Sequence, residues 1–181
     1  MNIEIEIKAK VKDHQEIKKR LKKIGAKFLG SLHQLDTYYI LNESWRQKIG
    51  PRLRIRQDLT HKKYSWEYHE PFGNNQAKEN EVIIDNPKMA DYIFKKMGCK
   101  IDVTIDKKRE KYRLKDINID LDTVKGLGRF IEVEIMNKNK TTSLKRLKSL
   151  LELLGVPAKD YADYTTYVHL MWQKQGKQIR N

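Results

Sequence analysis

Eight stretches of this chain alternate apolar and charged residues with a period of two. Nothing else in the sequence restricts the fold as much, because successive side chains of a strand point to opposite faces. The predicted strands are Ile3 to Ala9, Leu35 to Leu41, Arg52 to Gln57, Lys63 to Glu70, Glu79 to Asp85, Val103 to Leu114 (with room for a break), Ile117 to Val124 and Phe130 to Met136. One parity is apolar, as in Ile3, Ile5 and Ile7, in Tyr64, Trp66 and Tyr68, or in Ile131, Val133 and Ile135. Helices are expected to cover that side. Asn74-Asn75 and Gly126-Leu127-Gly128 read as hairpin turns.

Apolar residues recur at helical spacing in four other places. The first predicted helix covers Asp13 to Ile24, with Asp13 and Glu16 as cap and partner and Gly25 as the stop. A second opens at Asn86-Pro87, buries Ala90, Ile93, Phe94 and Met97, and stops at Gly98. The third starts near Thr142 or Ser143 and carries Leu144, Leu147, Leu151 and Leu154 to Gly155; a weaker fourth spans Lys159 to Trp172, with Tyr161, Tyr164, Tyr167, Val168 and Met171 on one face. Many strands and few crossovers imply an antiparallel α+β fold. No Pro/Gly/Ser-rich linker interrupts residues 1–173, so one domain is expected, with 174–181 as a polar tail. Short ExE strands recur as Glu4-Ile5-Glu6, Glu79-Asn80-Glu81 and Glu132-Val133-Glu134, each ahead of a helix that ends in glycine.

The other strand parity is charged, with almost no Ser, Thr or Gln among the charges. It presents nine acidic residues, Glu4, Glu6, Glu67, Glu79, Glu81, Asp120, Asp122, Glu132 and Glu134, and nine basic ones, Lys8, Arg52, Arg54, Arg56, Lys63, Lys107, Arg109, Lys111 and Arg113, besides His69. The chain as a whole has 38 Lys or Arg against 24 Asp or Glu, a formal charge of +14, which points to a polyanionic partner. Carboxylates scattered among the cations would repel a phosphate backbone, so nucleic acid is not the expected partner. The mixture suits a short, dense polyanion held together with a divalent cation: guanidinium and ammonium groups take phosphate oxygens, and paired carboxylates hold a hard metal. The five histidines show no zinc-like spacing. The single cysteine, Cys99, excludes an intrachain disulfide and is expected to fill core space; the start has no apolar leader and no stretch is long enough to span a membrane, so a cytoplasmic location is expected. Tyr64, Trp66 and Tyr68 are expected to pack beneath a helix.

The chain resembles the CYTH superfamily of triphosphate tunnel metalloenzymes, which includes class IV adenylyl cyclases, thiamine triphosphatases and tripolyphosphatases. Glu4-Ile5-Glu6-Ile7-Lys8 matches the ExExK signature, and in order along the chain follow Asp36-Thr37-Tyr38-Tyr39, Leu53-Arg54-Ile55-Arg56, Glu79-Asn80-Glu81, Lys107-Lys108-Arg109, Asp120-Leu121-Asp122 and Phe130-Ile131-Glu132-Val133-Glu134. The resemblance implies an eight-stranded antiparallel barrel, a tunnel with helices packed outside. It implies metal-site carboxylates at Glu4, Glu6, Asp122, Glu132 and Glu134, with Glu79 and Glu81 as further members. It implies phosphate-binding cations at Lys8, Arg54, Arg56, Lys107 and Arg109, and among these Glu4, Glu6, Lys8, Lys107 and Arg109 as catalytic residues. Arg52 and Arg113 share the cationic parity, and Arg113 counts among the substrate-binding residues. The family's KxP lysine is replaced in His69-Glu70-Pro71, which leaves His69 to donate a hydrogen bond to substrate.

The implied reaction is a displacement at phosphorus assisted by magnesium or manganese. In the cyclase form, ATP yields cyclic AMP and pyrophosphate; the Lys125-Gly126-Leu127-Gly128 turn and the flanking strands resemble the class IV cyclases most closely. In the alternative form, water hydrolyses tripolyphosphate, thiamine triphosphate or a nucleotide. A non-catalytic polyanion-binding module is a third expectation. The expected partner is a triphosphate-bearing small molecule, without a membrane, and a homodimer is allowed.

Overall fold

The computed structural model describes residues 3–73, 76–137, 139–162 and 166–180, with backbone alone for 3, 4, 71–73, 76, 77 and 79. The Asn74-Asn75 turn and Tyr164 lie outside the described residues. Eight strands and four α-helices follow one another as β1 (Ile3–Val11), α1 (Gln15–Lys23), β2 (Lys27–Ile40), β3 (Arg52–Asp58), β4 (Lys63–Gly73), β5 (Gln76–Ile84), α2 (Pro87–Lys96), β6 (Lys100–Leu114), β7 (Ile117–Val124), β8 (Gly128–Asn137), α3 (Lys140–Leu153) and α4 (Tyr167–Lys174). The strands form an eight-stranded sheet in the order β1-β8-β7-β6-β2-β3-β4-β5. Its registered neighbours are antiparallel. The α+β class and eight-stranded antiparallel architecture are those the alternation predicted. β2 starts eight residues earlier than the expected Leu35, because Phe28 and Leu29 are exposed and leave no alternation to read. β6 runs without a break.

Contacts divide the chain into two compact units. The first holds Met1–Ser31 and Lys108–Thr165. Its core is the apolar parity of β1, β7 and β8, with Ile5, Ile7, Ile119, Leu121, Ile131 and Val133 packed with Ile17 and Leu21 of α1 and Leu147 and Leu151 of α3. The second unit holds Leu32–Lys107 and Thr166–Asn181. Its smaller core joins Tyr39, Leu53 and Ile55 to Phe94 of α2 and to Cys99, the buried thiol expected there. Phe94 meets the rings of Tyr39 and Trp66 edge-on, with centroids 5.0 Å away in each case. Of the aromatic side of β4, Trp66 therefore packs against α2 while staying partly exposed, and Tyr68 lies against the same core.

Three strand–helix units share one stop signal. After α1, α2 and α3, Gly25, Gly98 and Gly155 have φ of 78°, 89° and 77°. In each, the residue after the glycine donates its N–H to a carbonyl five residues back (Leu21, Phe94 or Leu151) and is an apolar or small residue. Only glycine adopts that left-handed conformation without strain, and the pattern satisfies carbonyls that the helix end leaves over.

Four helix expectations are corrected. α1 is capped by His14 rather than Asp13, and His14 offers no side-chain cap; its imidazole Nε2 instead lies 3.1 Å from the Phe130 carbonyl oxygen. In α2 only Phe94 is buried, while Ile93 and Met97 are exposed, because the helix covers a narrow strip of β3 and β4. α3 begins at Lys140, capped by Asn139, whose side chain accepts from the Thr142 N–H. The fourth helix is shorter than expected: Tyr161 bridges to Ala9 of β1, and α4 starts only after the Thr166 cap. The polar tail is also tied down, since Arg180 donates to the Arg46 carbonyl at 2.7 Å and accepts from Lys48 at 2.8 Å.

Leu151 is fully buried in the first unit's core and is the residue whose carbonyl closes α3. Replacing it with Ala should lower unfolding free energy by about 2–5 kcal/mol, whereas Gly98→Ala, which meets open space and only strains the backbone, should cost about 1 kcal/mol. Urea denaturation of the two variants distinguishes these outcomes.

Candidate functional site

In the first unit, antiparallel pairing turns the charged parity into rows. Lys8 of β1 is opposite Glu132 of β8, which is opposite Asp120 of β7; one row on, Glu6 is opposite Glu134, which is opposite Asn118. Both faces of these strands are buried: Lys8 is 6% exposed, Asp120 4%, Asp122 0% and Glu132 8%. An ordinary solvated sheet face is thereby excluded for these strands.

Arg109 of β6 is the hub of this cluster. Its Nε and Nη2 donate to the two oxygens of Asp122 at 2.7 and 2.6 Å, Nη1 lies 2.5 Å from Asp120 Oδ2, and Nη2 also reaches Glu132. Lys8 Nζ lies 2.7 Å from Glu132 Oε1 and 3.9 Å from Glu6 Oε1. Burial works against both cations, but Glu132 with Asp122, and Glu132 with Glu6, outweigh it and raise the pKa values of Arg109 and Lys8.

The carboxylates outnumber these cations. Glu6, Asp120, Asp122, Glu132 and Glu134 gather about Lys8 and Arg109. Burial, reinforced by Glu132, Asp122 and Glu134 against the opposing pull of Arg109, pushes Asp120 up to about 6. Lys8 pulls Glu6 down, yet burial and the charges of Glu132 and Glu134 leave its pKa raised. Asp120 Oδ1 is buried without a hydrogen-bond partner among the described residues. An all-oxygen donor set short of positive charge, with one orphaned oxygen, fits a hard divalent cation. Among the described residues no three acidic, His or Cys side chains are already gathered for a metal, and three of the carboxylates are held on Arg109.

The second unit carries a cluster of the opposite sign. Arg56 grips Asp36 through Nε and Nη2 at 2.8 and 2.9 Å, and Arg54 Nη1 and Lys107 Nζ each lie 3.7 Å from Asp36 Oδ2. Arg54 also donates to Glu67 at 2.7 Å and to the Tyr38 hydroxyl at 2.8 Å, and Ser65 donates to Glu67 at 2.7 Å. Although burial opposes ionisation of Asp36, Arg56, Arg54 and Lys107 hold its carboxyl far below the usual carboxylate range. Three cations against two carboxylates leave this cluster suited to further anionic oxygens.

The predicted site residues thus fall in two groups: Glu6, Lys8, Arg109, Asp122, Glu132 and Glu134 in the first unit, and Arg54, Arg56 and Lys107 in the second. Glu4 occupies the β1 position opposite Met136, and Glu79 the β5 position opposite His69; the side chains of both lie outside the described residues. Glu81 is exposed opposite Glu67. His69 is half-buried opposite Arg52. Arg113 is exposed and donates to Asn118 at 3.0 Å, whose amide donates to Glu134 at 2.8 Å. Arg52, despite its parity, is enclosed by the carbonyls of Gln47, Gly50 and Pro51, by His169 and by the Trp172 ring. Burial pushes it down to about 10, with Tyr38 and Asp102 opposing.

Sequence reasoning gave no role to Asp36, Glu67 or Asp120. The signal was available in parity, since Asp36 and Tyr38 alternate on β2 toward Arg56 and Arg54, but an isolated acid on a mostly neutral strand does not announce its partners.

A family model described as the CYTH domain matches residues 2–165. Over 155 residues the chain is 34% identical to a Methanocaldococcus jannaschii protein provisionally named an adenylate cyclase, covering 84% of this chain and 87% of that one. A solved structure from Pyrococcus horikoshii superposes with a TM-score of 0.82 at 28% identity, covering 92% of this chain and 98% of the other. A Hippeastrum protein described as an adenylyl cyclase with dominant triphosphatase activity shares the fold, with a TM-score of 0.70 at 17% identity over 99% of this chain and 98% of that one.

Asp36→Asn removes the buried charge on which three cations converge and should destabilise the protein by about 3–5 kcal/mol in urea denaturation. Because its folded pKa is depressed, Asp36 contributes stability that is complete above its unfolded value near 3.9 and is lost as pH falls below it. The variant's stability should therefore fall less steeply below pH 4 than that of the parent.

Proposed function

The chain belongs to the CYTH domain family, and from that premise we propose that it is a divalent-metal-dependent enzyme acting on a triphosphate, of the class IV adenylyl cyclase type, converting ATP to cyclic AMP and pyrophosphate. The observation that carries the metal dependence is the charge deficit of the first unit: five described carboxylates against two cations, with Asp120 pushed up to about 6. In this reading Glu4, Glu6, Asp122, Glu132 and Glu134 hold magnesium or manganese, and Asp120 joins the same carboxylate set. A metal held there would supply Lewis acidity toward the phosphates and the attacking hydroxyl.

Lys8, Arg54, Arg56, Lys107 and Arg109 neutralise the phosphates in this proposal and carry the charge that builds on the leaving pyrophosphate. Arg54 and Arg56 are already aligned by Asp36 and Glu67, so little side-chain freedom is lost when they take up substrate. His69 and Arg113 complete the substrate contacts, the former by hydrogen bonding. Lys8 and Arg109 hold carboxylate oxygens of this set, which a bound metal would share with them.

The adenylate cyclase name of the M. jannaschii relative supports the cyclase form. Hydrolysis of a triphosphate is the second reading, favoured by the same clusters because both reactions need the same charge neutralisation and differ only in the nucleophile. A silent polyanion-binding module would not need the carboxylate excess.

Incubation with ATP and magnesium should release cyclic AMP and pyrophosphate in equal amounts; phosphate release without cyclic AMP selects the hydrolase. Glu6→Gln and Glu134→Gln should lower metal-dependent turnover by roughly 100-fold. Asp120, raised to about 6, disfavours the folded state as pH rises from about 4 through 6, and Glu6, also raised, acts in the same direction. Metal should relieve that penalty, so magnesium is expected to raise the melting temperature more at pH 8 than at pH 5; an equal or opposite change would contradict metal binding by these carboxylates.

A further inference from the structure

The charge on the rest of the first unit takes no part in the proposed chemistry. Outside the charged cluster, Glu4 included, and outside Arg113, its sequence holds nineteen Lys or Arg against seven Asp or Glu. The even mix of charges that spoke against nucleic acid belongs largely to strand faces that are buried, so it does not characterise what the surface offers a partner.

The cations gather where β1 ends and β7 turns into β8. Lys10 and Lys12 are exposed there, Lys10 opposite Phe130 and Val11 opposite Arg129. Exposed Arg129 donates to the Lys12 carbonyl at 3.0 Å, which fixes the two strand ends together. Exposed Lys125 opens the turn, and Gly126 and Gly128 follow with φ of 80° and 111°. The Lys10 side chain passes over Gly128, its Cε 3.7 Å from where a Cβ would stand. Four cations therefore bracket a stretch of backbone with almost no side chains, open to close approach by phosphate.

We propose that this end of β1, β7 and β8 binds the phosphate backbone of a nucleic-acid duplex. The cations are spread in exposed positions over the end of β1, the residue after it, the β7–β8 turn and the start of β8, as suits a repeating anion rather than a single enclosed phosphate. The apolar residues among them, Val11 and Leu127, are half-buried, so no large apolar side chain stands ready to enter a lipid surface. The contact proposed is with phosphate alone, and binding is accordingly independent of base sequence.

Fluorescence anisotropy with a labelled DNA duplex of about 20 base pairs tests this. Four phosphate contacts predict a log affinity against log salt slope of about −3 to −4, or about a 100-fold loss between 50 and 200 mM salt. The combined Lys10→Gln, Lys12→Gln, Lys125→Gln and Arg129→Gln variant, shown by circular dichroism and melting to be folded, should flatten that slope by about 3. Lys10→Gln and Lys125→Gln singly should each flatten it by about 1, so the test survives if the combined variant fails to fold. Tripolyphosphate at matched ionic strength should leave the duplex bound; displacement would move the contact to the catalytic clusters and overturn the proposal. Absence of binding at 50 mM salt, an unchanged slope in the variants, or binding to phosphatidylserine vesicles but not to the duplex would each overturn it too. None of these outcomes bears on turnover of a triphosphate, so the proposed enzymatic activity stands or falls separately.

Discussion

Arg109 and Asp36 meet the same electrostatic problem with opposite signs. Each is an ion withdrawn from water, and removing a charge from solvent costs several kcal/mol unless counter-charges surround it. Arg109 is surrounded by Asp120, Asp122 and Glu132, and Asp36 by Arg54, Arg56 and Lys107. The strand register puts those partners in place, and the register in turn is held by the apolar parity on the opposite face. A slip of one residue would send Ile131 and Val133 among the charges and Glu132 into the hydrocarbon beneath α3. The chemistry and the hydrophobic core are therefore two sides of one alignment.

Much of this architecture was legible because period-two patterning is a direct record of which face each residue occupies. It identified all eight strands and placed Lys8, Arg109, Asp122 and Glu132 on the charged parity. It failed where exposure removes the pattern, at Phe28 and Leu29 in early β2 and at Ile93 and Met97 of α2. It also treated Arg52 as equivalent to Arg54, although the local backbone curls its carbonyls around one guanidinium and not the other. Parity gives a face; it does not give the tertiary neighbour that decides whether a cation is available to a ligand.

The recurring glycine stop explains why three short ExE matches were structural rather than accidental. β1, β5 and β8 each lead into a helix, and each helix ends in the same reversed turn, which docks an apolar residue of the helix end against its core. Leu21, Phe94 and Leu151 are those residues, all buried. The repeat conserves a way of covering the strands, while the acidic pairs that first drew attention to it meet different fates: Glu132 is buried with Lys8, and Glu81 is exposed.

The C-terminal segment has a bearing on how the chain is made. Buried Asp102 receives Arg46, the Trp172 indole and Lys177, and Arg180 pairs with the backbone around Lys48. The family match stops at residue 165, before any of the α4 partners of Asp102. During synthesis on the ribosome, strands β2 to β6 emerge with Arg52 and Asp102 still lacking His169 and Trp172, and the compact unit that contains them is incomplete until α4 has followed them out of the exit tunnel. Its completion therefore follows the synthesis of α4, whatever the speed of its individual strands.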